Sequence, residues 1–97
     1  MKKVEEIEKI IKDHKNILKD DYGVTEIGLF GSYIKRKQGD TSDVDILVDF
    51  KEPIDLFTFV HLKNQLSELL GENVDLVTKR ALKPKIGERI LSEVIYI

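Results

Sequence analysis

The chain has 97 residues, 41% hydrophobic and 35% charged, which suits one soluble globular domain with one modest core. Sixteen Lys and Arg against eighteen Asp and Glu leave a net charge of −2, so no global positive field favours phosphate backbones and non-specific nucleic-acid binding is not expected. The absence of cysteine excludes disulfide frameworks, thiolate zinc sites and cysteine nucleophiles, while an acidic Val4-Glu5-Glu6 start and the lack of any apolar run near ~20 residues predict a cytoplasmic protein without a membrane span.

From Lys2 to about Asp20, Val4, Ile7, Ile11 and Leu18 recur at helical spacing with Ile10 and Ile17 beside them, so an amphipathic helix is expected there. Tyr22-Gly23 ends it, and Val24 to Phe30 follows as a strand that Gly31-Ser32 breaks. Tyr33 to Ser42 reads as a short helical turn running into a polar loop. Asp43 to Phe50 resumes as a strand. Asp55 is a natural N-cap for a helix through Leu70, whose apolar face is expected from Leu56, Phe59, Val60, Leu66, Leu69 and Leu70, with Gly71 as its stop. Asn73 to Thr78 is a third strand. Pro84 opens a helix carrying Ile86, Ile90, Leu91 and Val94, and Val94 to Ile97 closes as an edge strand. No repeat, linker or low-complexity segment interrupts this pattern, so the expected architecture is a single αβαβαβ-like domain, residues 1–97, of the mixed α+β class: a small sheet flanked by helices.

The chemistry-bearing residues sit at strand ends. Strand side chains alternate, so Asp43 and Asp45 are expected on one face while Val44, Ile46 and Val48 point to the core. Two adjacent carboxylates repel unless a cation or basic partner neutralises them, and hard divalent ions such as Mg²⁺ meet that need with oxygen ligands. Alone, an Asp-x-Asp is more often a solvated strand mouth. Asp75, in Val74-Asp75-Leu76-Val77, adds a third acid where Leu or Val would be routine. Gly31-Ser32 at the end of an apolar strand lets backbone N–H groups approach a phosphate and adds a hydroxyl donor. Lys79, Arg80, Lys83 and Lys85 form a basic stretch that reads equally as a solvated face, His14 and His61 read as helix-face residues, and Asp49 lies too far along its strand to join the pair.

Gly31-Ser32, followed after a ten-residue gap by Asp43-Val44-Asp45 in an apolar strand, resembles the signature of the nucleotidyltransferase superfamily. The chain is most similar to the minimal, MNT-type, nucleotidyltransferases, over roughly Ile27 to Thr78. That resemblance implies the nucleotidyltransferase fold, a small mixed β-sheet flanked by helices, with catalytic and metal-holding roles for Asp43, Asp45 and Asp75, two Mg²⁺ ions, and ATP as substrate. It also implies a nucleotide-binding role for Gly31, Ser32 and Lys35. Lys35-Arg36 stands where the family usually has Arg-Gly, so positive charge is kept without the bidentate fork of arginine. The family further implies a HEPN-type ribonuclease toxin as partner, neutralised by transfer of AMP onto one of its tyrosines. The alternative is a non-catalytic module that neutralises its partner by complex formation. So small a domain offers little surface for both nucleotide and acceptor, which makes a partner or self-association a reasonable expectation.

Overall fold

The computed structural model describes residues 3–31 and 43–97. Helices α1 (Val4–Asp13) and α2 (Lys15–Tyr22) lead into strand β1 (Val24–Phe30), and β2 (Val44–Phe50), α3 (Leu56–Leu70) and β3 (Val74–Thr78) follow. A single 3₁₀ turn (Lys79–Ala81), helix α4 (Pro84–Glu93) and the two-residue strand β4 (Ile95–Tyr96) complete the chain. The four strands form one mixed sheet in the order β3-β2-β1-β4. β1 runs antiparallel to both β2 and β4, whereas β2 and β3 are parallel. The parallel pair requires a crossover, and α3 supplies it.

The expected first helix is two helices. At His14 the backbone leaves helical geometry (φ −107°, ψ 7°), and its N–H bonds the Ile11 carbonyl at 3.0 Å instead of continuing the i→i−4 ladder. The imidazole Nδ1 sits 2.7 Å from the Ile10 carbonyl oxygen, satisfying a group that the break would otherwise orphan. Because α2 starts one residue later, Leu18 and Tyr22 stay on the same packed side as Val4, Ile7 and Ile11. Gly23, at φ 73°, closes α2 in the left-handed conformation that glycine accepts without strain.

One face of the sheet carries the core. Ile27 and Leu29 of β1, Val44, Ile46 and Val48 of β2, and Val74 and Leu76 of β3 pack with side chains of α1, α2 and α3. In α3 the buried stripe is Leu62, Leu66 and Leu70, narrower than the expected face. Leu56 and Val60, expected inside, are exposed. Asp55 caps that helix by accepting from the Thr58 N–H at 2.7 Å. The Tyr22 hydroxyl donates to Gln65 Oε1, tying α2 to α3. On the opposite face, alternation places Asp45, Leu47 and Asp49 of β2 beside Phe30 and Gly28 of β1 and Asp75 of β3.

Candidate active site at the strand ends

Asp45 is the second residue of β2 and Asp75 the second residue of β3, and the parallel register sets them directly opposite one another. On the other side of β2, Phe30 is the partner of Asp45, so the chain leaves β1 through Gly31 beside the same carboxyl group. Three strand ends therefore meet at one point: the C-terminal end of β1 and the N-terminal ends of β2 and β3.

Asp45 is half-buried, and its side chain shares a hydrogen bond with Asp75. Burial, followed by the charge of Asp75, that hydrogen bond and the charge of Asp43, pushes the Asp45 carboxyl up from 3.8 to about 6. Each of these causes disfavours the ionised form, and a cation between the carboxylates would reverse the last three. Gly31, at φ 82°, is required on two grounds. Only glycine takes this backbone region freely, and a Cβ here would stand 3.0 Å from Asp45 Cγ with the Oδ2 oxygen nearer still.

Asp43 departs from the expected arrangement. The strand begins at Val44, whose N–H bonds the Asn73 carbonyl at 2.8 Å, so Asp43 lies just outside β2 and strand alternation does not fix its direction. It is exposed and acts on Asp45 through charge. Among the described residues no three acid or imidazole groups stand together in a ready-made metal site. Ser32 and Lys35, the other expected nucleotide contacts, lie outside the described residues, as does the expected turn from Tyr33 to Ser42.

The basic stretch is directed elsewhere. Lys79 Nζ lies 2.9 Å from Glu26 Oε1 and 5.7 Å from the centre of the Tyr96 ring, and the Glu26 hydrogen bond holds the ammonium above its usual range. Arg80 Nη2 donates to the Phe50 carbonyl at 2.8 Å, with its Nε 3.4 Å from Asp49 Oδ1. Both partners sit at the end of the sheet away from Asp45 and Asp75, so Lys79 and Arg80 brace β1 and β2 there. Asp49 is likewise at the far end of its strand. His61 lies against the Tyr22 ring on the surface of α3, with ring centres 6.0 Å apart.

Residues 11–97 match the model of the nucleotidyltransferase domain. The chain belongs to the nucleotidyltransferase family. It is 49% identical over 94 residues to the protein adenylyltransferase MntA of Thermococcus cleftensis, an alignment spanning 97% of this chain and 95% of the relative. A crystal structure of a toxin-antitoxin with AMP-PNP superposes with a TM-score of 0.74 at 30% identity, covering 93% of this chain and 70% of the other. A structure described as a candidate minimal nucleotidyltransferase gives a TM-score of 0.73 at 33% identity, covering 92% and 93%. This nucleotidyltransferase is an enzyme built on the mixed sheet expected for the minimal members of the family, and its paired acids stand at one end of that sheet.

Proposed function

We propose that the chain transfers AMP from ATP onto a hydroxyl of a partner protein, with a tyrosine of a HEPN-type ribonuclease toxin as the favoured acceptor, and thereby acts as an antitoxin. The observation that carries this reading is the Asp45–Asp75 pair, two acids set opposite one another by the parallel register beside a glycine that leaves them open. An oxygen-only donor set with repelling charge suits Mg²⁺, so the residues fit the ion. Asp45 and Asp75 would hold it, with Asp43 adding charge from the surface. Bound there, the metal would supply charge neutralisation at the α-phosphate and the departing pyrophosphate.

The protein's own residues carry the remaining work. Gly31 follows β1 without a side chain, so its own backbone can approach a phosphate closely. Asp75, more exposed than Asp45, would accept the proton of an incoming hydroxyl. Asp45, wedged between Phe30 and Asp75, is the fixed member of the pair. The naming of the Thermococcus relative as a protein adenylyltransferase, and the presence of AMP-PNP in the toxin-antitoxin structure, support ATP as donor and a protein as acceptor.

The test is intact-mass spectrometry of the HEPN-domain protein from the same genome after incubation with this chain, ATP and Mg²⁺. The expected result is a mass increase of one or more AMP units, abolished by EDTA and by Asp45→Asn with Asp75→Asn. Protection against the toxin by that double variant, without any mass increase in the wild-type reaction, would establish the non-catalytic module instead.

A further inference from the structure

At the end of the sheet away from the acids, the β2–α3 connection leaves an open cleft of about 440 Å³ lined by Phe50, Pro53, Ile54, Leu56 and Phe59. Beside it, the first turn of α3 presents Leu56, Phe57 and Val60 to solvent, with Phe57 87% and Leu56 72% exposed. A contiguous apolar surface of this kind is unfavourable in water and marks a contact site. Its net charge is a single negative one, at Asp55, because Arg80 is paired with Asp49. The lining includes two carboxylates, Asp49 and Asp55, and a single cation, Arg80. The guanidinium is drawn to the Phe50 carbonyl, and Asp49 Oδ1, though 3.4 Å from Arg80 Nε, takes no hydrogen bond among the described residues. Asp55 is fully exposed, and the Thr58 N–H holds its carboxyl below the usual range, so it stays ionised.

We infer that this cleft is where the acceptor protein docks, through a large apolar side chain flanked by a lysine or arginine. The apolar anchor fills the space between Pro53, Ile54 and Phe59, and the cation meets Asp55. The inference rests on the proposed protein acceptor, and it separates grip from chemistry. Asp49 at the cleft and Asp45 at the acid pair are four residues apart on one strand, about 13 Å at the rise of an extended chain. An acceptor held at one end of the sheet thus delivers its hydroxyl to the other. Changes at the cleft then act on binding of the acceptor and leave the reacting atoms alone.

Two surface variants test this. Phe57→Ser removes the large exposed apolar side chain at the rim of the cleft, and Asp55→Asn removes the charge while keeping an equivalent helix cap. Calorimetric titration with the HEPN-domain protein should show each variant binding at least tenfold more weakly. The AMP-transfer assay should show a raised KM for that protein, with kcat and the KM for ATP unchanged. Unaltered affinity in both variants overturns the docking site even if transfer proceeds normally, as does wild-type chain that fails to bind this protein at all. Weakened binding together with no transfer by the wild type retains the docking site and removes only the enzymatic reading. Sedimentation of the chain alone provides the remaining arm: a wild-type dimer that Phe57→Ser dissociates would assign the surface to a second copy and overturn the proposal.

Discussion

Asp45 is the residue on which most of the site's electrostatics converge. Its folded-state value of about 6 lies above the 3.8 of an ordinary aspartate, so the fold favours the protonated form. The contribution to stability is therefore fully present below pH 3.8 and is lost as the pH rises through 6. At pH 7 without metal the ionised group is a net burden, on the order of 1 kcal/mol after discounting for the solvent that reaches it. Asp45→Asn should accordingly raise the melting temperature at pH 7 and change it little at pH 4, as read by calorimetric unfolding in EDTA. Destabilisation at pH 7 would show that the carboxylate is already neutralised by partners. Gly31→Ala should act in the opposite sense, costing about 1–2 kcal/mol from the positive φ and displacing the Asp45 carboxyl. A displacement near 1 Å should lower AMP transfer roughly a hundredfold. An alanine variant with wild-type turnover would show that the turn relaxes without moving Asp45.

Among the elements, the junctions carry the testable energetics. Tyr22 of α2 donates to Gln65 of α3 from a largely buried position, so Tyr22→Phe should destabilise the chain by about 1 kcal/mol in denaturant unfolding. No change would mean that water replaces the bond. The periodicities of Val4, Ile7, Ile11 and Leu18, and of Leu66 and Leu70, were sufficient to place the helices. Alternation along β2 was sufficient to put Asp45 opposite the core. The break at His14 was not visible, since it depends on an imidazole reaching the Ile10 carbonyl and on α2 finding its place over β1. Equally hidden was the identity of Leu62 as a buried residue in place of Leu56 and Val60: the apolar pattern permits several faces, and only tertiary packing decides which of them is buried. Asp43 looked equivalent to Asp45 because alternation was extended one residue beyond the strand. The strand begins only at Val44.

For the molecule as a whole, the site exists because of topology. Phe30, Asp45 and Asp75 are separated by fifteen and thirty residues, and they meet only because β2 pairs antiparallel with β1 and parallel with β3 in the observed registers. No spacing in the chain specifies the direction of either pairing. The resemblance carried by Gly31-Ser32 and Asp43-Val44-Asp45 supplied what periodicity could not, and the match of residues 11–97 to the nucleotidyltransferase domain bears it out. The same topology sends Lys79 and Arg80 to the far end of the sheet as braces for Glu26 and Asp49. Phosphate charge at the acid end must therefore be met by other groups. The central claim, that the acid end of the sheet is a metal-dependent nucleotide site, is tested most directly by calorimetric titration of ATP into the protein with Mg²⁺ and with EDTA, using Asp43→Asn, Asp45→Asn protein as control. Saturable binding in Mg²⁺ that disappears in EDTA and in the variant is the predicted result; binding of equal strength in all three conditions, or in none, would contradict it.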